Sequence, residues 1–238
     1  MKLTLVFKLD NDTLTNHYHD FLMSYFKHAL SKEYKDDFEG LYMSGNKIKP
    51  FTFSTYIPQI QHQEGFIISP NKELKVFFSS SDYHFMMILY NALLLNKGYK
   101  MTVKPNNKIA LTRLSLDYLP IIEKTSIHIK MMSPLLIRVH QEDTNKDNYL
   151  SVQDEDFIEQ MQINLAYLCG QFSLSTEGLK IIPIKTKKVV VSIMNQKYDA
   201  TLGEFVIEGT TETLNNLYKI GIGSRRSEGF GMFEVLNV

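Results

Sequence analysis

The chain has 238 residues, and its 26 Lys and Arg residues balance 26 Asp and Glu residues, so it has no net charge with which to attract a polyanion. Apolar residues make up 44% of the chain and charged residues 22%, which excludes disorder over most of its length. The length suits one large or two small domains, and any nucleic-acid site must come from local clusters of basic residues.

Cysteine content and the N-terminal sequence bear on the expected location. Cys169 is the single cysteine, so no intrachain disulfide can form, which is typical of a reducing cytoplasm. Residues 1–12 alternate polar and apolar side chains and lack the apolar block of a signal peptide. Because no apolar run approaches the ~20 residues needed to span a bilayer, we expect a cytoplasmic protein without a membrane partner.

Hydrophobic periodicity in the first half predicts the order strand, helix, strand, strand, helix, strand. Apolar residues at every second position indicate the first strand, and apolar residues at three- and four-residue steps indicate the helices. The predicted elements are a strand at Lys2–Leu9, a helix from about Asp12 to Tyr34, strands around Phe51–Tyr56, Gly65–Ile68 and Leu74–Phe78, a helix capped by Ser81 or Asp82 that ends at Gly98, and a strand pair in Met101–Leu116.

The same order of elements recurs in the second half, without matching residues. Its predicted elements are a strand at Ser126–His140, a helix at Asp154–Phe172, strands at Ile181–Met194 and Ala200–Glu208, a helix at Thr210–Lys219 and a strand at Met232–Val238. The polar stretch Gln141–Asn148 indicates a solvent loop. We therefore predict an α+β fold of two tandem ferredoxin-like (βαββαβ) domains, residues 1–120 and 121–238, divided near Pro120.

A glycine-rich segment, Gly221–Phe233, lies between the last predicted helix and the last strand. Its glycines are Gly221, Gly223, Gly229 and Gly231. Glycine permits positive φ and close backbone approach, so exposed N–H groups could form an anion-binding concavity, and Arg225 and Arg226 supply planar forks suited to phosphates. A tight loop with solvated arginines is the alternative. A dinucleotide fingerprint does not fit, because it follows a strand and opens a helix.

This loop resembles the glycine-rich C-terminal motif of the CRISPR-associated endoribonucleases of the RAMP superfamily, which process precursor guide RNA. Two further stretches agree with the resemblance, Lys49–Ser54 (Lys-Pro-Phe-Thr-Phe-Ser) and Met132–Ile137 (Met-Ser-Pro-Leu-Leu-Ile). The resemblance implies a tandem ferredoxin-like fold that binds CRISPR repeat RNA, the precursor crRNA. It also implies cleavage without metal or cofactor, in which a 2′-hydroxyl attacks the adjacent phosphate to give a 2′,3′-cyclic phosphate.

The resemblance also implies candidate catalytic residues. Lys49 matches the lysine of the family, which would stabilise charge on the phosphate, and Lys47 would contact RNA beside it. Members commonly carry a histidine shortly before that lysine, but the segment 40–49 has none. His28, near the end of the first helix, is the nearest substitute, and Tyr42 could orient or protonate. Each residue also has a structural alternative. His28 could be an ordinary histidine at the edge of the apolar face of the helix, Tyr42 could have a packing role, and Lys47 and Lys49 could be solvated surface residues.

Other polar residues complete the predicted site. Ser54 ends the first of the two short motifs and is assigned to RNA. Lys185, Lys187 and Lys188 form the densest basic run, which could enter the groove of an RNA stem-loop or could equally protect an edge strand from pairing. Because His17 and His19 point to different faces of a helix, no metal site is predicted.

Three function classes remain open from the sequence. The first is the endoribonuclease described above. The second is a non-catalytic RNA-binding subunit of a CRISPR effector complex, which the missing histidine supports. The third is a metabolic protein that binds a small anion at the glycine-rich loop. Partnership with an effector complex and homodimerisation are further open expectations.

Overall fold

The computed structural model describes residues 1–43, 47–103, 106–141, 146–193 and 196–236. The chain divides into two compact units. The first unit consists of Met1–Pro50, Thr55–Tyr118 and Ser192–Asn195, and the second of Phe51–Ser54, Leu119–Val191 and Gln196–Val238.

The first half of the chain carries most of the strands and three of the helices. Its elements, in chain order, are β1 (Lys2–Leu9), β2 (Thr13–Thr15), α1 (Tyr18–Glu33), α2 (Lys35–Tyr42), β3 (Phe51–Tyr56), β4 (Gln61–Gln63), β5 (Phe66–Ile68), β6 (Glu73–Ser80), α3 (Tyr83–Leu95), β7 (Lys100–Val103) and β8 (Asn107–Asp117). The Asp82 side chain caps α3 by accepting a hydrogen bond from the backbone N–H of Phe85.

The main sheet of this half has the order β3-β6-β1-β8-β7. The four strands of a βαββαβ unit are β1, β3, β6 and β8. The first and third of them, β1 and β6, are central, and the second and fourth, β3 and β8, flank them. This is the ferredoxin-like order. Leu3, Leu5 and Phe7 alternate on one face of β1 and are fully buried, so they form the centre of the core.

The second half repeats this plan. Its elements are β9 (Ser126–Met131), β10 (Ile137–Gln141), β11 (Lys146–Leu150), α4 (Phe157–Gln171), β12 (Lys180–Ile193), β13 (Gln196–Glu208), α5 (Thr211–Ile220), a 3₁₀ turn (Arg226–Glu228) and β14 (Phe233–Val235). The sheet order is β12-β13-β9-β14, again with the first and third strands of the unit at the centre. The fold is therefore α+β with two ferredoxin-like halves, which confirms the predicted fold class.

Three local predictions differ from the structure. The first helix begins at Tyr18 and not near Asp12, because Thr13–Thr15 pairs with Phe66–Ile68 as a strand. The strand predicted over Ser126–His140 is two strands, β9 and β10. Part of the predicted Gln141–Asn148 loop is ordered as the hairpin of β10 with β11, and residues 142–145 lie outside the described residues.

Helix α2 was not predicted. It spans only eight residues and none of them is buried, so its apolar pattern is too short to stand out in the sequence. Within the described ranges, no helix is both long enough and apolar enough to cross a membrane.

Candidate functional site

Tyr42, the last residue of α2, lies between two basic side chains of the first unit. The Nζ of Lys49 and the Nζ of Lys27, on α1, each lie 5.1 Å from the centroid of the Tyr42 ring, within cation–π range. Lys27 is exposed, and Lys49 and Tyr42 are half-buried. The structure therefore brings two of the predicted catalytic residues together and adds a lysine that was not predicted.

The Tyr42 hydroxyl is held in its protonated form. Burial disfavours the phenolate and raises the pKa of Tyr42 well above its ordinary value of 10.0. A tyrosine in this state is a poor base, but its O–H remains a hydrogen-bond donor across the neutral and mildly alkaline range. The cluster of Lys27, Tyr42 and Lys49 thus presents donors and positive charge.

His28 lies in a different contact. Its imidazole stacks on the ring of Tyr99, with 4.5 Å between ring centroids and an interplanar angle of 16°. The ring is half-buried. The structure therefore packs His28 against Tyr99, whereas the preceding residue, Lys27, is the one that contacts Tyr42.

The two other residues predicted around the Lys49 motif differ in exposure. Lys47 is exposed. Ser54 is only 1% exposed, and its hydroxyl has no hydrogen-bond partner among the described residues. Because the Ser54 side chain does not reach the surface, contact with RNA would need β3 to open, in contrast to the prediction.

The glycine-rich loop packs against both of the short motifs. The hydroxyl of Thr52 donates to the carbonyl oxygen of Phe230 at 2.9 Å. The backbone N–H of Ser224 donates to Leu136 O at 2.8 Å, and the N–H of Gly231 donates to Pro134 O at 3.0 Å. Three stretches that are far apart in sequence therefore form one packed region of the second unit.

Two glycines of the loop are required by close backbone contact. Gly221, Gly223, Gly229 and Gly231 are buried, and all have positive φ. A Cβ at Gly231 would lie 1.9 Å from Ile222 O, and a Cβ at Gly223 would lie 2.8 Å from Leu136 O. Backbone atoms cannot move aside cheaply, so these positions exclude any larger residue.

Part of the predicted anion-binding concavity is unavailable to a ligand, because six of the loop amides already donate to backbone oxygens. The N–H groups that donate to backbone oxygens belong to Gly221, Ile222, Ser224, Glu228, Gly229 and Gly231. The half-buried residues of the loop are Ser224, Arg225, Ser227 and Glu228. The loop therefore offers these side chains to a ligand, while the glycines set the shape of the backbone.

Arg226 points into the protein. It is 5% exposed, its Nη1 donates to Ile220 O at 2.7 Å, and its guanidinium lies 5.6 Å from the ring centroid of Phe172. Burial lowers the pKa of Arg226 to about 10, so the group stays charged near neutral pH. Arg226 holds the end of α5 to the loop, and the phosphate fork predicted for it is not presented at the surface.

Arg225 is the half-buried arginine of the loop. Its guanidinium lies 5.6 Å from the ring centroid of Tyr149 and 5.5 Å from that of Tyr198, and its Nε donates to the Tyr149 hydroxyl at 2.6 Å. Glu228 accepts from its Nη1 at 3.0 Å. Burial opposes the charge, but Tyr149 and Glu228 outweigh it and raise the pKa of Arg225. This arginine is therefore permanently charged and held in place.

The basic run lies on β12, which is an edge strand of its sheet. Lys185 and Lys187 are exposed, whereas Lys188 pairs with Asp199 at 2.7 Å. That hydrogen bond raises the pKa of Lys188. The edge position fits both interpretations of the run, an RNA contact and a strand edge protected by charge.

Metal ligands and missed residues complete the survey of the site. No group of three His, Cys, Asp or Glu side chains suited to a metal ion occurs among the residues that the structure describes. Sequence reasoning missed Lys27, Tyr149 and Tyr198, because each reaches the site through a contact between different elements of the fold. No periodicity or spacing in the sequence signals such contacts.

Comparisons with solved structures show the same fold over the whole chain. One similar structure comes from the characterization of a Cas6-related gene from Pyrococcus furiosus. It is 18% identical in sequence, with a TM-score of 0.83 and coverage of 100% of this chain and 98% of that one. A RAMP protein binding different RNA substrates is 16% identical, with a TM-score of 0.82 and full coverage of both chains. A CRISPR associated protein Cas6 is 20% identical, with a TM-score of 0.77 and coverage of 100% and 99%. No curated protein matches the sequence.

The family comparison is more specific than the structural one. The family model described as CRISPR associated protein Cas6, C-terminal, matches residues 116–235, half of the chain. The match includes the Met132–Ile137 stretch and the whole glycine-rich loop, which pack together in the second unit. The chain therefore belongs to the Cas6 family of CRISPR-associated RAMP proteins.

Proposed function

We propose that the chain binds CRISPR repeat RNA and cleaves it without a metal ion. The observation that carries the proposal is the contact of Tyr42 with Lys49. Lys49 matches the lysine of the family, and Tyr42 lies close to the position of the missing histidine. Membership of the Cas6 family supports the substrate class, and one similar structure is that of a RAMP protein binding different RNA substrates.

The proposed reaction is an internal transesterification. The 2′-oxygen of a ribose attacks the adjacent phosphorus, so that a new O2′–P bond forms and the P–O5′ bond breaks. The proton of the 2′-hydroxyl leaves to a base, and the leaving 5′-oxygen gains a proton. The products are a 2′,3′-cyclic phosphate and a 5′-hydroxyl.

The residues of the Tyr42 cluster suit two of these tasks. The ammonium of Lys49 stabilises the negative charge that develops on the phosphate. The protonated hydroxyl of Tyr42, kept neutral by burial, donates to the leaving 5′-oxygen. His28 is the proposed base, because imidazole is the most common general base and His28 follows Lys27 on α1.

Other exposed groups would hold the RNA backbone. Lys47, Lys185 and Lys187 are exposed and are proposed to contact phosphates, with Lys188 contributing less because of its pair with Asp199. Arg225, stacked on Tyr149 and Tyr198, is proposed to contact RNA at the half-buried part of the glycine-rich loop. The loop glycines act indirectly, by fixing the backbone that carries these side chains.

The location proposed for this activity is a reducing cytoplasm. Cys169, the single cysteine, is buried, and burial raises the pKa of its thiol to about 11. The thiol therefore behaves as a packed apolar group in the second unit.

A second candidate is a non-catalytic repeat-RNA-binding subunit of a CRISPR effector complex. The stacking of His28 on Tyr99 favours it, because the imidazole is held in a packing contact. Both candidates use the same basic residues for binding, so affinity alone cannot separate them. They differ in whether the bound RNA is cut.

Incubation of the purified protein with repeat RNA in the presence of a chelator tests the proposal. We expect a single cut whose upstream product carries a 2′,3′-cyclic phosphate, and no cut in RNA with a 2′-deoxyribose at the cleavage position. Binding without cleavage at any pH would eliminate the enzyme and leave the binding subunit. Absence of both binding and cleavage would overturn the RNA assignment.

Single substitutions then assign the roles. Tyr42→Phe, Lys49→Met and His28→Ala are each expected to slow single-turnover cleavage by about 100-fold, the usual contribution of a general acid, base or charge stabiliser. Lys97→Met is the matched control, because Lys97 is also an exposed lysine of the first unit. Equal rates for all four variants and the wild type would refute the site while leaving cleavage itself unexplained.

A further inference from the structure

Lys27 is an exposed lysine on α1 whose ammonium has no carboxylate partner among the described residues. Two acidic side chains of the neighbouring helix α2 pair with residues other than Lys27. Asp37 contacts His84 at 3.5 Å, and Glu39 contacts Lys35 at 3.7 Å. The contact that Lys27 does make is with the ring of Tyr42, at 5.1 Å.

This contact places two positive charges at one neutral ring. Lys27 and Lys49 lie at equal distances from the Tyr42 centroid, so their Nζ atoms are no more than about 10 Å apart. Like charges at such a separation repel each other, and an anion between or beside them removes the repulsion. An anion bound there would therefore stabilise both ammonium groups.

The chemistry of the three side chains specifies the ligand. An ammonium has three donors and no acceptor, and the hydroxyl of the half-buried Tyr42, whose pKa is raised by burial, stays protonated and can donate. The two ammonium groups repel a metal cation and attract a negatively charged oxygen ligand. If each ammonium donates a hydrogen bond of about 2.8 Å to a different oxygen of one phosphate, the two Nζ atoms are roughly 8 Å apart. This distance is below the upper limit of about 10 Å between the Nζ atoms of Lys27 and Lys49.

We propose that Lys27 is a further substrate-contacting residue, which binds the scissile phosphodiester together with Lys49. The inference rests on the proposed function, because it takes the Tyr42 cluster as the place where the phosphate is cut. Lys27 acts there as a second charge stabiliser. Its position on α1 fixes one side of the phosphate, while Lys49, just before β3, fixes the other.

The test compares Lys27→Met with Lys27→Arg and with Lys32→Met. Lys32 lies on the same helix, but its ammonium pairs with Glu33 at 3.3 Å, so it serves as the control. We expect Lys27→Met to slow single-turnover cleavage of repeat RNA by about 10- to 100-fold. Lys27→Arg should retain most of the rate, and Lys32→Met should retain all of it. Thermal unfolding of each variant checks that the fold is unchanged.

A binding measurement keeps the inference separate from catalysis. With RNA made uncleavable by a 2′-deoxyribose, the slope of log affinity against log salt should fall by about 0.7 in Lys27→Met, the value for one phosphate contact on a single strand. Replacing the scissile phosphate by an uncharged methylphosphonate should abolish the difference between Lys27→Met and the wild type. This second result identifies the phosphate that Lys27 contacts.

The outcomes distinguish the two claims. If Lys27→Met matches the wild type in rate and salt slope while Lys49→Met is impaired, the inference is wrong and the proposed function stands. If the wild type binds RNA without cutting it, the proposed cleavage fails, and a reduced salt slope in Lys27→Met still supports a phosphate contact. If the wild type does not bind repeat RNA, both claims fall.

Discussion

The hydroxyl of Thr52 donates a hydrogen bond to the carbonyl oxygen of Phe230 at 2.9 Å, although 178 residues separate the two in the chain. Thr52 belongs to the Lys49–Ser54 stretch and Phe230 to the glycine-rich loop. The two motifs are therefore physically joined within the second unit, where Thr52 is fully buried. Their shared role here is to fix the backbone of the loop, which in turn sets the position of Arg225.

Removal of this hydrogen bond should destabilise the second unit. Thr52→Val keeps the β-branched shape and deletes the donor, so we expect unfolding to require about 1–2 kcal/mol less free energy, measured by urea denaturation. Thr112→Val is the control, because the Thr112 hydroxyl makes a similar bond to Val6 O at 3.0 Å but is half-buried. Equal losses in the two variants would show that the Thr52 bond has no special structural role.

Gly231 should tolerate no side chain. In Gly231→Ala the new Cβ would meet Ile222 O at 1.9 Å, and φ is +70°, so both overlap and backbone strain oppose the fold. We expect a loss of about 3 kcal/mol or more, or failure to fold.

Gly178→Ala separates these two causes. Gly178 also has a positive φ of +62°, but a Cβ there would meet nothing within 4 Å. This variant should lose only about 1–2 kcal/mol, the cost of the left-handed conformation. Thermal unfolding that places both alanine variants at the same midpoint would contradict the close contact at Gly231.

Much of the fold could be predicted because its strands and helices have regular apolar patterns. The alternation from Lys2 to Leu9 predicted β1 with both of its ends correct. The start of α1 could not be predicted, since Thr13–Thr15 becomes a strand only by pairing with Phe66–Ile68. That pairing is a tertiary interaction, which local sequence does not encode. The division into domains of residues 1–120 and 121–238 stays a prediction.

The candidate site could be predicted only in part, for the same reason. Tyr42 and Lys49 were chosen from a resemblance, and the structure brings them into contact. Arg226 was chosen as a phosphate ligand from the sequence, but its 5% exposure shows an internal role that depends on Phe172 and Ile220. Motifs indicate which residues a loop contains, whereas packing decides which of them reach the surface.

His19 should make the fold sensitive to mild acid. Burial lowers the pKa of His19 from 6.5 to about 4. Between these values the unfolded chain binds a proton that the folded chain does not, so stability falls as the pH falls, by up to about 1.4 kcal/mol per pH unit. Above about pH 6.5 and below about pH 4 this residue adds no further pH dependence.

Replacement of His19 tests this linkage. His19→Gln should lose less stability than the wild type when urea denaturation is compared at about pH 7 and about pH 5. His62→Gln is the control, because His62 is exposed and should leave the pH dependence unchanged. A His19→Gln variant that follows the wild-type pH dependence would show that the imidazole is not protected in the folded protein.

The basic residues of the second unit should divide into those that contact RNA and those that do not. Lys185→Gln and Lys187→Gln should each reduce the slope of log affinity against log salt by about 0.7 to 0.9, the values for one phosphate contact on a single strand and on a duplex. Lys188→Gln should have a smaller effect, because its ammonium is held by Asp199 at 2.7 Å. Arg226→Met, where the protein remains folded, should leave the slope unchanged, since the guanidinium is buried.

If instead Lys185→Gln and Lys187→Gln bind RNA normally but self-associate in sedimentation experiments, the lysines protect the edge strand β12 and do not contact RNA.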